Sequence, residues 1–323
     1  METETSGIKT EISTETFPQR IDFKSGISIA DFISWYKTNQ ARLEEDLHTS
    51  GAILVRGIAI EDIQGFEQVT QSMSPKFLDY VDGNSPRTKL SGSVYTSTEY
   101  DPSHYITLHN ELSYSNKWPG KLYFSCIIPA ATGGETPIAD GRKIIAQMDS
   151  GLLADIESRK VRYIRNLHGG QGFGPSWQDT FETENREAVE QICQEREIEF
   201  HWKEDGGIRV EHIRDGIITH PKTGEKVWFN QIDQFHASHL EEEIYETLML
   251  MYDGDEEAMP MNVTFGDGTP ITKEQVTSIK EAIDKVTVPV KWQKGDLLII
   301  DNVMACHGRW PYTGERKVVV SMS

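Results

Sequence analysis

From about residue 88 to its end, the chain is a succession of short β-forming runs, each closed by glycine, proline, asparagine or aspartate. Residues 122–128 (LYFSCII) read as a buried strand stopped by Pro129 and the Gly133-Gly134 pair, and residues 161–168 (VRYIRNLH) as another. Residues 198–213 are two runs around Asp205-Gly206-Gly207, a hairpin signal, because glycines supply the positive φ of a tight reversal. Residues 217–230 repeat the pattern around Thr223-Gly224, residues 288–302 repeat it around Lys294-Gly295-Asp296, and RKVVVSMS is a last strand. Helical spacing occurs over 28–49 (Ile29, Phe32, Ile33, Tyr36, Leu43, Leu47, with Gly51 as a stop), 60–73, 141–158, 183–196, 240–251 and 272–285. A regular strand–helix–strand alternation is missing. That excludes a doubly wound parallel sheet and predicts an antiparallel barrel or sandwich, mainly β with helical insertions.

A length of 323 residues allows two average domains, but single barrels of this size are common, and neither a repeat nor a low-complexity linker divides the chain. One domain is expected over 21–323, with N-terminal helices packed on it and a helical and loop insertion around 141–200. The polar first twenty residues are expected to fray. Acidic residues outnumber basic ones, 51 to 32, which argues against nucleic acid or an anionic membrane as partner. No apolar run approaches the roughly 18 residues of a membrane span. The N-terminus lacks a signal-peptide core, and the three cysteines are odd in number and far apart, so a reducing, cytoplasmic setting is expected. The oligomeric state is not legible.

Signatures of the common hydrolases, zincins and nucleotide-binding folds (GxSxG, HExxH, a P-loop, GxGxxG after a strand) are missing. Among ten histidines, the pattern His-x-acid occurs twice, at His109-Asn110-Glu111 and His239-Leu240-Glu241. Residues i and i+2 share a face of a strand but not of a helix. His239 opens a helically spaced run, whereas His109 follows the β-like SHYITL, so His109 and Glu111 are the pair able to face one ion. A histidine and a carboxylate two apart, one distant histidine and open positions make the ligand set of non-haem Fe(II) oxygenases. The plain alternative is a surface histidine and glutamate in a loop. His307 is the candidate distant ligand, since it follows the strand LLIIDN. A turn-rich stretch then leads to Arg316, which opens the last strand on the face of Val318 and Val320. A hairpin of that length sets the two strands side by side. An arginine there is a fork for a co-substrate carboxylate.

HNELSY (109–114), PAATGGETPIAD (129–140), WFNQ (228–231), FGDGTPI (265–271) and HGRWPYTGERK (307–317) together resemble the TauD/TfdA family of Fe(II)/2-oxoglutarate-dependent dioxygenases, in particular its syringomycin-biosynthesis-type hydroxylases. The resemblance covers about residues 50–323. It implies a double-stranded β-helix, or jelly roll, with iron held by His109, Glu111 and His307. It implies that Arg316 pairs with the distal carboxylate of 2-oxoglutarate, assisted by the Thr136 hydroxyl, and that O2 is the second co-substrate. Arg309 is a second candidate anion partner, on the co-substrate or substrate side. WFNQ resembles the substrate side of the pocket. Trp228 and Asn230 share a strand face, so one can pack on substrate while the other hydrogen-bonds it; the plainer reading is a core tryptophan and a strand-end asparagine. Residues 168–181, rich in glycine, suit a lid and equally a plain surface loop.

The reading that follows is oxidation, chiefly hydroxylation, of an aliphatic C–H in a small amino-acid-derived substrate of specialised metabolism, free or tethered to a carrier protein. Desaturation, cyclisation or epoxidation would use the same site. Two rivals remain: a catalytically silent jelly-roll binding module, and a zinc hydrolase built on His236, His239 and a glutamate of 241–243.

Overall fold

Leu297, Leu298, Ile299 and Ile300 are all buried, yet they belong to two different cores. Leu297 and Ile299 pack with Phe32, Trp35, Tyr36, Phe66 and Val69 of the two N-terminal helices. Leu298 and Ile300 pack with Leu108, Ile138 and Cys306 of a second sheet. Successive side chains leave a strand on opposite faces, so a strand covered on both sides reads as an unbroken apolar run. Lys121–Ile128 and Lys317–Met322 do the same: Phe124 and Val318 face the second sheet, Tyr123 and Val319 the helices. Each large apolar side chain buried this way contributes about 1.5–3 kcal/mol relative to exposure.

These relations come from a computed structural model that describes residues 2–5, 8–13, 16–79, 82–83 and 87–323, with the backbone alone for 2–5, 8 and 9. The main sheet runs in the order Glu2–Thr5, Ile8–Ser13, Gln19–Ile27, Ala52–Ile58, Leu297–Asp301, Lys121–Ile128, Lys317–Met322, Val94–Thr96, Lys89–Ser91. The facing sheet runs Val288–Val290, Thr136–Asp140, Ala305–Arg309, Ile106–His109. Together they form the jelly roll. The helix Ile29–Ser50 lies on the outer face, capped at its start by Ser28 and ended by Gly51 in the left-handed region. A third sheet, Glu199–Trp202, Ile208–Arg214, Val161–Leu167 and Met261–Phe265, packs on a small core that includes Trp177, Phe181 and Val210 and extends well beyond the insertion expected around 141–200. No helix of the described residues is long and apolar enough to cross a membrane.

Four local expectations are corrected. Residues 288–302 are not a hairpin: Val288–Val290 pairs with Thr136–Asp140, while Leu297–Asp301 lies between Ala52–Ile58 and Lys121–Ile128. The turn at Gly295 is a crossover between sheets, because LLII needs the doubly covered centre of the main sheet. Ala305–Arg309 and Lys317–Met322 likewise belong to different sheets, so Arg316 reaches the His307 region across the barrel rather than along a hairpin. The helical stretch over 141–158 is two helices, Gly141–Gln147 and Ser150–Arg159, because Asp149 caps the second by accepting from the Leu152 amide. Of the terminus expected to fray, residues 1, 6, 7, 14 and 15 lie outside the described residues, but Ile8–Ser13 pairs with Gln19–Ile27 and buries Ile12.

Candidate metal centre

His109 ends the strand Ile106–His109, and His307 lies in Ala305–Arg309 directly opposite it. Their rings lie 4.5 Å apart. Gly308 follows within a bulge, where a β-carbon would come within 2.4 Å of the Ile106 carbonyl oxygen. Only glycine lets the two strands approach this closely next to the imidazole.

Glu111 is not on that strand, so strand parity is not what brings it to His109. It sits in the following turn, where Leu112 takes a left-handed φ of 56°. Such a conformation costs a residue with a β-carbon about 1–2 kcal/mol, and here the buried Leu112 side chain offsets it. Asn302, at the far end of the chain, clamps the turn. Its Oδ1 accepts from the Glu111 amide at 2.7 Å, and its Nδ2 donates to the Glu111 and Pro119 carbonyls at 3.0 and 2.9 Å. The Asn110 side chain donates to the Asn302 carbonyl at 2.7 Å. So clamped, the Glu111 carboxylate comes within 3.9 Å of His307 Nε2 and receives Arg87 Nη2 at 2.5 Å.

One ligand atom from each of His109, Glu111 and His307 lies within 4.8 Å of the others. A backbone carbonyl only accepts, so His109 Nδ1, 2.8 Å from the Thr107 oxygen, carries the ring proton and leaves Nε2 bare. Burial, opposed by Glu111, lowers the His109 pKa. Burial, reinforced by His109 and Arg87, pushes that of His307 well down. His307 Nδ1 is buried with no hydrogen-bond partner among the described residues. Two uncharged imidazoles and one carboxylate on one side of a small space are a donor set that fits Fe(II).

The same hollow is lined by Thr136 and Arg316. Arg316 donates through Nε to the Gly134 carbonyl at 3.1 Å and through Nη1 to Ser97 at 3.3 Å. A β-carbon on Gly134 would stand 3.1 Å from the arginine's Cδ and Nε, so this glycine is the guanidinium's passage. Burial and the neighbouring Arg309 lower the Arg316 pKa to about 10; it stays charged at neutral pH and gains from an anionic partner. The Thr136 hydroxyl accepts from Trp292 Nε1 at 3.0 Å, which leaves its own proton to donate. Arg309 is engaged otherwise. Its two terminal nitrogens donate to the carbonyls of Thr98, Tyr100, Asp101 and His104, so Arg309 staples that loop while it also lines the hollow.

Trp228 and Asn230 do not line this hollow. Trp228 lies in the core, and Asn230 uses its amide on the Gly216 carbonyl and the Ile232 amide, so the plainer reading holds for both. The zinc alternative fails on geometry. Both nitrogens of His236 are engaged, with Ser238 and Ile271, and among the described residues His236, His239 and the glutamates 241–243 form no cluster of ligand atoms. Sequence reasoning missed Arg87, Asn302 and Trp292. Only Asn302 left a trace, as the polar residue closing LLIIDN.

A jelly roll with an N2O donor set beside a buried, charged arginine has the architecture of the non-haem iron oxygenases. The chain belongs to the taurine catabolism dioxygenase TauD, TfdA family, whose model matches residues 11–322. It is accordingly a 2-oxoglutarate-dependent oxygenase, with iron as cofactor. It is 35% identical over 298 residues to the dapdiamide synthesis protein DdaC of Enterobacter agglomerans, covering 92% of this chain and 88% of DdaC. A clavaminate synthase-like protein of Arabidopsis thaliana is 31% identical over 309 residues, with 92% and 88% covered. Among solved structures, an asparagine oxygenase in complex with Fe(II), 3-hydroxyasparagine and succinate superposes with a TM-score of 0.53 at 12% identity. That match covers 90% of this chain and 79% of the other, and it shows the shared fold.

Proposed function

We propose that His109, Glu111 and His307 hold Fe(II), that Arg316 and Thr136 hold the distal carboxylate of 2-oxoglutarate, and that the enzyme hydroxylates an aliphatic C–H of an amino-acid-derived intermediate of specialised metabolism. The observation carrying this reading is the cluster of two bare imidazoles and a carboxylate beside Arg316. Bound there, iron with 2-oxoglutarate supplies the activation of O2, the co-substrate leaving as succinate and CO2.

The chain's own residues place and shield. The Thr107 carbonyl fixes the His109 tautomer, so its bare nitrogen faces Glu111 and His307. Arg87 holds one oxygen of Glu111, which restricts how the carboxylate turns. Trp292 orients the Thr136 hydroxyl, and Gly134 gives Arg316 its approach. Ile106, Phe124 and Val318 wall the hollow with apolar surface and keep water out, which strengthens each polar contact inside. Glu111 also stands where a halide would have to bind, so the product is expected to carry oxygen and no chlorine or bromine.

DdaC, named for dapdiamide synthesis, and the asparagine oxygenase support an amino-acid-related substrate. The arginines lining the hollow support one whose carboxyl is masked, as in a carrier thioester or an amide. Arg87 faces Glu111, Arg309 holds the loop, and Arg316 is the partner assigned to 2-oxoglutarate. The test is succinate release across free amino acids, their amides and carrier-bound aminoacyl thioesters. Under 18O2, product mass separates hydroxylation from desaturation and cyclisation. Failure of the whole panel, together with no Fe(II) binding, would return the chain to a silent jelly-roll module.

A further inference from the structure

A cavity of about 460 Å3 adjoins the metal hollow, walled largely by Leu240, Leu248, Met259, Pro260 and Met261. One segment borders both spaces. Thr98 lines the hollow and Tyr100 the cavity, and one nitrogen of Arg309 holds both their carbonyls. A space of this size suits the body of a small molecule whose C–H is presented next door.

Its polar content is one-sided. Among the described residues, the lining has no lysine or arginine, and its carboxylate is Asp179, at the exposed mouth. The cavity's imidazole is His239. Its Nδ1 donates to the His236 carbonyl at 2.7 Å, so Nε2 is a bare acceptor, with no partner among the described residues. Burial, reinforced by the charge of Lys280 behind the lining, pushes the pKa of this imidazole down and keeps it uncharged. The other polar side chains of the lining are the hydroxyls of Tyr100 and Thr180, the latter donating to the Ser176 carbonyl at 2.8 Å. A largely apolar wall with an uncharged imidazole acceptor rewards an N–H donor and penalises an anion, which would be desolvated with no cation of the described lining to pair with.

We propose that this cavity binds the apolar body of the substrate with an N–H donor, best a protonated amine, hydrogen-bonded to His239 Nε2, and that it rejects anionic groups. The inference rests on the oxygenase reading, since it makes the cavity the substrate's seat.

The test is calorimetric titration of the full metal-free chain with hexylamine and with hexanoate, equal in length and opposite in charge. Hexylamine is expected to bind at least tenfold more tightly. His239→Phe, which keeps bulk and removes the acceptor, should weaken hexylamine about tenfold; His239→Gln, which keeps an acceptor, should largely retain it. Leu240→Trp, which fills the cavity, should abolish it. Fe(II) stoichiometry should be unchanged in all three variants. Equal or absent binding of the two probes overturns the proposal, as does wild-type hexylamine binding in both His239→Phe and Leu240→Trp. Succinate release is measured on the same preparations. Selective amine binding with no turnover on any substrate defeats the oxygenase reading and leaves the cavity's selectivity standing. Turnover without amine selectivity defeats the cavity alone.

Discussion

His109, Glu111 and His307 meet in the jelly-roll mouth; His48, His220 and Asp301 meet where the central strand Leu297–Asp301 ends. The two groups contain the same chemistry, two imidazoles and a carboxylate. They differ in what the far side of an imidazole does. His109 gives its far proton to a carbonyl and presents a bare nitrogen to its neighbours. His220 Nδ1 instead accepts from the amides of Thr223 and Lys222, at 3.1 and 3.3 Å. Its proton is therefore on Nε2, donated to Asp301 at 3.0 Å. His48 Nδ1 lies 3.1 Å from the same carboxylate oxygen, and the Val303 and Met304 amides donate to the other. One group has electron pairs awaiting a cation; the other is a closed knot of donors on one carboxylate. Residue type does not distinguish them. The partner behind the ring does.

Metal binding gives the largest contrast. His109→Ala, Glu111→Ala and His307→Ala should each weaken Fe(II) by at least about 100-fold in anaerobic equilibrium dialysis, given that even outer-shell partners are worth 10–100-fold. His48→Ala and His220→Ala should keep one Fe(II) per chain. Loss of iron in the His220 variant would overturn the comparison.

The arginines divide in the same way. Arg316→Ala should raise the 2-oxoglutarate KM by about 100-fold or more, from about 3–5 kcal/mol for stranding a buried partner charge. Arg309→Ala should leave that KM within about threefold and lower unfolding stability by about 2 kcal/mol, because it frees the buried Thr98 carbonyl and releases a partly exposed loop. The reverse pattern would exchange their roles.

Asp301→Ala should cost about 3 kcal/mol in denaturant unfolding, since it leaves several buried donors unsatisfied. It should also weaken Fe(II) by about tenfold, because Asp301 precedes the Asn302 that clamps Glu111. Burial alone would raise the Asp301 pKa; the hydrogen bonds from His220 and His48 prevail and lower it. A carboxyl held below its unfolded value stabilises the fold above that value. The stability at stake in Asp301→Ala should therefore be present at neutral pH and vanish as pH falls below the ordinary aspartate range.

Trp292→Phe is the smallest effect. Loss of one neutral hydrogen bond to Thr136, about 1 kcal/mol, should raise the 2-oxoglutarate KM about fivefold and leave Fe(II) binding alone. No change in KM would remove the indole from the site and leave it a core residue.

Short β-runs punctuated by glycine and proline were enough to fix the fold class, because a strand's local composition reports its own burial. They could not show which runs pair, and two predicted hairpins proved to be crossovers between sheets. His109 and His307 were legible through motif and order. Glu111 was legible as well, though for a local reason the structure replaces. Trp228 and Asn230 show the limit of parity arguments, since a shared face says nothing about what that face meets.

By itself, the sequence determined the antiparallel architecture and the supply of imidazole, carboxylate and guanidinium groups along the chain. Only the tertiary structure decided which arginine spends both terminal nitrogens on loop carbonyls, which histidine presents a bare nitrogen, and how Glu111 reaches His307. Those outcomes rest on hydrogen bonds such as Asn302 to Glu111, across 191 positions of chain. A donor's function depends on the group behind it, and only folding brings that group there.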